Sequence, residues 1–242
     1  MSLAGAGPAL EHVPAQRLVT IATWGFLVPA TLGFSARWLP VFLGLKQPRS
    51  RLLFLAFGLS WAAILAQLFG RLNWFASLLL LAGICAAFAL RVVEPPLRFA
   101  KNEGVHPGFP FLVRLAYVWL LISATLSVYT AWSDTWGGIW GASRHALTVG
   151  FVSTMVFAIG QRILPAFCGS RVLYSPSLML ASLAALSIGC ALRVASEIPA
   201  YEANIQAAWR MLPVSAMVEM AAVTLFALNL AVTLLGSADQ PA

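Results

Sequence analysis

The chain predicts an all-α, polytopic membrane bundle of about seven transmembrane helices, and three observations carry that prediction. Of its 242 residues, 60% are apolar and only 10% are charged, against about 25% charged in a soluble domain. Mean hydropathy is +0.85. Seven stretches supply the ~20 mostly apolar residues that a helix needs to cross a bilayer core. The lipid bilayer is therefore the first partner. The net charge of +7 is read as loop topology, and no nucleic-acid partner is expected.

Residues 1–16 read as a short tail, because they lack the basic start and small-residue cleavage site of a signal peptide. Spans follow at about 18–36, 52–70, 74–93, 111–132, 145–165, 177–195 and 213–235, with a tail at 237–242. The second and third are separated only by a turn at Gly70-Arg71, so they form a helical hairpin. Residues 91–110 hold Pro95-Pro96 and His106-Pro107 and read as a solvated loop. Trp132, Trp136 and Trp140 around Gly137-Gly138 mark an interfacial loop. Residues 196–212 allow a short interfacial helix. Pro213 suits the first position of the seventh span, where its missing N–H costs nothing. Cys85, Cys168 and Cys190 are widely spaced and form no C-x-x-C pair, so they read as free thiols that pack like small hydrophobes.

One end of the bundle collects ten Lys and Arg (Arg37, Lys46, Arg49, Arg51, Arg91, Arg98, Lys101, Arg114, Arg162, Arg171). The other collects five (Arg17, Arg71, Arg144, Arg193, Arg210). Positive charge stays inside, which places the N-terminus outside and the C-terminus in the cytoplasm. Two segments match without a gap at an offset of 125 residues, "WGFLVPATLGFSARWLPVFLGL" from Trp24 and "VGFVSTMVFAIGQRILPAFCGS" from Val149. The shared pattern is G-F-x(10)-R-x-L-P-x-F-x-G. Spans one and five run the same way, so the repeat is parallel: a four-helix unit over 17–144 and a partial second unit over 145–236. In this pattern the proline is expected to end the helix just after Arg37 and Arg162. Each guanidinium then caps the last carbonyls, snorkels to headgroups, or binds an anion such as a cofactor carboxylate.

His12 and His106 fall in loops, whereas His145 opens an apolar span. An ionisable group there is a candidate ligand; the plainer reading is an interfacial histidine. The run "HALTVGFVSTMVFAIGQRILPAF" (145–167) resembles the signature helix of the NnrS family, haem- and copper-containing membrane proteins linked to nitric oxide metabolism. "LAYVWLL" (115–121) is similar to the Tyr-x-Trp helix that precedes it, and "GFSARWLPVF" (33–42) to the family's central segment. The resemblance implies about twelve spans in the bacterial inner membrane, with a fold similar to a haem–copper oxidase core subunit, this chain supplying the carboxy-terminal spans. It implies His145 as a metal ligand, to haem iron before copper; on that reading Arg37 and Arg162 are structural caps or anion contacts, such as to a cofactor. The chain departs from the family where Arg114 and Phe167 stand in place of expected histidines.

Glu219 lies about two turns into the seventh span, in the same half as His145, Arg144 and Arg193. It either pairs with one of these, orienting the imidazole from behind, or stays a neutral acid bonded to a backbone or serine. Gln67 and Asn229 read as interhelical hydrogen-bond partners. Gly150, Ser153, Thr154, Ala158 and Gly160 either let helices approach or leave room for a flat cofactor. Three functions compete: a haem-associated protein in nitric oxide, nitrosative-stress or respiratory metal-centre handling; a cofactor-free scaffold bound to another membrane subunit that supplies missing helices; and a small-solute or proton carrier using Glu219. No catalytic residue is assigned. The seventh span has no lysine for a retinal Schiff base.

Overall fold

In the computed structural model, which describes residues 17–97, 105–133, 137–167 and 173–238, seven helices are long and apolar enough to cross a membrane. They are α1 (Arg17–Phe42), α2 (Ser50–Leu68), α3 (Leu72–Ala89), α4 (Phe109–Ser133), α5 (Gly138–Pro165, continuing to Phe167), α6 (Pro176–Ala203) and α7 (Gln206–Ala238). No strand occurs among the described residues. His12, Arg98, Lys101, Trp136, Cys168 and Arg171 lie outside them.

The side-chain distribution is that of a bundle in lipid. Phe26, Phe54, Trp74 and Met217 are exposed on outward faces, while Ala56, Ala63, Ala86, Ala116 and Ala124 are fully buried between helices. Small residues inside let backbones approach where no hydrophobic effect drives association. The hairpin α2–α3 and the hairpin α6–α7 form the largest contacts, with α4 packed between α3 and α5. The chain is a multi-pass membrane protein.

The turns follow from the sequence. After α2, Gly70 adopts φ +72, its N–H bonds Gln67 O, and Arg71 N–H bonds Ala66 O. That pair of bonds is the Schellman closure, which favours glycine at the left-handed position. After α3 the same pattern recurs with Arg91 at φ 58. Its guanidinium is held by Gln47 O at 3.0 Å and by both carboxylate oxygens of Glu94 at 2.9 and 3.0 Å. Arg49 also binds Glu94, at 2.8 Å.

Five helix limits differ from the sequence expectation. Pro40 and Pro165 sit inside α1 and α5, so Arg-x-Leu-Pro does not end the helix. A proline near a C-terminus still accepts helical φ, and only one backbone bond is lost. α5 starts at Gly138, so Trp140 is helical, and His145 lies seven residues into the span, about 10 Å at 1.5 Å per residue. α6 runs through 196–203 rather than giving way to a separate interfacial helix, and only Asn204 and Ile205 separate it from α7. Pro213 is consequently internal to α7.

Both α1 and α5 contain π-helical stretches, Ile21–Leu27 and Ala146–Ser153. They begin 125 residues apart. Such widened turns often mark functional positions, and the second begins directly after His145.

Candidate functional site

The α6 residues Cys190, Arg193 and Glu197 follow i, i+3, i+7 spacing, which puts them on one helical face. That face packs on α5. His145 Nδ1 lies 2.8 Å from Glu197 Oε2 and 3.1 Å from Gly141 O. Both neighbours are acceptors, so Nδ1 carries a hydrogen, shared toward Gly141 O, while Glu197 Oε2 stands at ion-pair distance without an aligned hydrogen bond. Arg193 Nε stands 3.5 Å from the same Glu197 oxygen. The Cys190 thiol faces His145 O at 3.7 Å. The Glu197 side chain is only 8% exposed, and burial of a carboxylate in a bilayer requires such partners.

Glycines create the space. A Cβ on Gly141 would collide with the Glu197 carboxylate. A Cβ on Gly189 would fall 2.6 Å from Glu219 Cγ, so α6 and α7 touch backbone to side chain there. At the mouth of the site, Gly138 N–H donates to Glu202 Oε1 at 3.0 Å, closing the exposed start of α5 against the end of α6.

Glu219 enters the cluster less directly than expected. It lies in electrostatic range of His145, Arg193 and Glu197, but the carboxylate in contact with the imidazole is Glu197. Glu219 Oε1 is buried with no hydrogen-bond partner among the described residues. Hydropathy alone closes the sixth span at 195 and so leaves Glu197 outside it. The spacing of Cys190, Arg193 and Glu197 on one face is the signal in the sequence that would have found it.

The two arginines fall elsewhere. Arg162 lies 17 residues beyond His145 on one helix, about 25 Å, most of the ~30 Å bilayer core. Its guanidinium sits 4.8 Å over the Phe42 ring and 6.0 Å from the Phe109 ring centroid. Arg37 is exposed on α1. Neither joins His145 in one site. Arg144 is nearer, with its guanidinium 5.2 Å over the Trp140 ring.

The resembling segments interlock. Tyr117 meets Phe151 edge-on at 5.3 Å, and Trp119 occupies the space that a Cβ on Gly150 would need. Gly150 therefore serves helix approach, and a side chain fills its place. Arg114 donates to Glu94 O at 2.9 Å, tying α4 to the preceding loop. A second polar cluster lies toward the opposite end. Asn229 Nδ2 donates to Gln161 Oε1 at 2.9 Å and Ser175 O at 3.0 Å, and Asn229 Oδ1 accepts from Ser175 N at 3.0 Å. Gln161 Nε2 donates to Ser182 Oγ at 3.2 Å. Asn229 is thus an interhelical partner, as expected. Gln67 is buried, but its Oε1 has no partner among the described residues.

Residues 98–235 match a family model described as Domain of unknown function (DUF8744), and the chain belongs to that family. The matched region contains α4–α7 and every member of the His145 cluster. Neither a curated protein nor a solved structure matches the chain.

Proposed function

We propose that this member of the DUF8744 family is a haem-associated protein of the bacterial inner membrane, NnrS-like, with His145 as its one protein-supplied iron ligand. The observation that carries the reading is the placed imidazole: Gly141 O at 3.1 Å and Glu197 at 2.8 Å both lie on the Nδ1 side, so Nε2 is the nitrogen left for a metal. A carboxylate behind a ligating histidine sets its tautomer and raises its basicity. Haem would supply redox and small-ligand chemistry when bound. Glu197 orients, Arg193 balances the Glu197 charge, and the half-buried Glu219 adds a carboxylate beside them.

The donor set fits one axial position. Met155 is fully buried in the core and ten residues along the same helix, about 15 Å away, so it does not supply a second. Arg37 and Arg162 do not fit as carboxylate contacts to a haem held by His145. Copper favours several imidazoles, and His145 is the one imidazole in this cluster.

The parallel repeat belongs to the same proposal. The matched offset of the two π-helical stretches supports a four-helix unit followed by a partial second one, and the Lys and Arg asymmetry favours an N-terminus outside. A second reading, proton carriage, rests on the unpartnered buried Glu219 oxygen. The deciding experiment is an optical spectrum of protein purified from haem-replete cells, oxidised and dithionite-reduced. A haem band lost in His145→Ala and about 10–100-fold weaker binding in Glu197→Gln are the expected results. A colourless wild type overturns the haem reading.

A further inference from the structure

A groove of about 390 Å³ runs between α1 and α5 on the outside of the bundle, away from the His145 cluster. It is lined in pairs by Leu27 and Val152, Thr31 and Val156, Phe34 and Ile159. Each pair is separated by 125 residues, so the same positions of both matched segments face each other across it. Phe34 is 57% exposed and Val156 55%, which leaves the groove open sideways.

Its length and its ends identify an occupant. From Val152 to Leu164 the lining covers twelve residues of α5, about 18 Å. Half of a ~30 Å hydrocarbon core is about 15 Å. The groove therefore has the depth of one leaflet. Two cations stand near the Phe34–Leu164 end, neither of them lining the groove itself. Arg37 follows Phe34 by three residues on the same face of α1, and Arg162 follows Ile159 by the same step on α5. A transmembrane helix is a poorer occupant, because Phe34, Ile159 and Leu164 stand among the small lining residues Ala30, Thr31 and Gly160 and hold a helix backbone at a distance. An extended alkyl chain tolerates those side chains.

We propose that the α1–α5 groove binds one anionic phospholipid, its acyl chain between the paired apolar residues and its phosphate at Arg37 with Arg162 beside it. The exposed Arg37 supplies the principal contact. Arg162 adds a second positive charge from its place on the Phe42 ring. The bound lipid ties the two helices together at one leaflet.

The test is native mass spectrometry of the full chain in detergent, given equal phosphatidylglycerol and phosphatidylcholine with the same acyl chains. Phosphatidylglycerol retention should exceed phosphatidylcholine about tenfold or more, the scale of two arginines at an anionic surface. Arg37→Gln should remove most of that preference and Arg37→Lys should keep it. Val156→Trp should lower retention of both lipids. Equal retention by the wild type, or a preference unchanged in the Arg37→Gln/Arg162→Gln double variant, overturns the proposal. Phosphatidylglycerol carrying a photoreactive acyl chain gives an answer without any variant. Labelling at 27–34 and 152–164 supports the groove. Labelling confined to other helices, or crosslinks showing a second chain seated there, overturns it. The haem spectrum does not depend on this lipid, so the two readings fail separately.

Discussion

Gly141 decides whether His145 and Glu197 can meet. The carboxylate occupies the place a Cβ would take, so α5 and α6 approach at this position only because the side chain is a hydrogen atom. Gly141→Ala must push Glu197 away or separate the helices, and overpacking of this kind costs about 1–3 kcal/mol. A Cβ placed on Gly58, on the exposed face of α2, would meet nothing within 4 Å. Gly58→Ala is therefore the matched control with no loss expected. Thermal unfolding in detergent separates the two, and equal melting of both variants would show that the α5–α6 approach does not depend on Gly141. His145 itself is legible in the sequence as an ionisable group in an apolar run. Its partner is not, because hydropathy weighs residues singly, whereas Glu197 is tolerated in the span through contacts with His145 and Arg193.

The helices are more legible than their ends. All seven apolar stretches form helices long enough to span, since length and hydropathy report how much chain a bilayer can cover. The limits shift where polar residues face inward, as in 138–144 and 196–203, and where a proline reads as a stop. The ends are fixed by contacts that hydropathy does not see. Glu94 joins α2 and α3 through Arg49 and Arg91. The Arg91 hydrogen bond, helped by the charges of Arg91, Arg49 and Lys46, holds the Glu94 carboxyl below its ordinary range, outweighing an opposing desolvation. A lowered folded-state value means the contact stabilises fully above the unfolded pKa and is lost as pH falls through the folded one. Backbone amides at 44–49 and 91–97 should therefore open more in acid than intrinsic exchange explains. Hydrogen exchange at neutral and acidic pH measures this, and Glu94→Gln should remove the difference. An identical pH response in that variant would assign the effect to another group.

Across the whole bundle, polar contacts join α5 to α6 at one level and α5, α6 and α7 together at another. One is the His145–Glu197–Arg193 cluster, and the other is the Asn229–Gln161–Ser182 network. Between them the contacts are apolar, including Phe157 stacked on Phe226 at 4.1 Å. Apolar packing gives little register in lipid, because lipid tails compete for the same surface. The Asn229 level therefore sets how α7 sits against its neighbours. Asn229 is fully buried and has donors and acceptors satisfied by Gln161 and Ser175. Asn229→Leu keeps a similar volume but leaves Gln161 Oε1 and Ser175 N without that partner. Interhelical bonds in membranes average below about 1 kcal/mol, while stranding a buried polar atom costs about 1–3 kcal/mol. The stranded atoms dominate, so a loss of about 2 kcal/mol is expected. Denaturant unfolding in mixed micelles measures it. The Asn229→Leu/Gln161→Leu double variant discriminates further, because removing both partners should restore part of the loss. A double variant as unstable as the sum of the singles would mean that the network carries no coupling, and that α7 is placed by apolar packing alone.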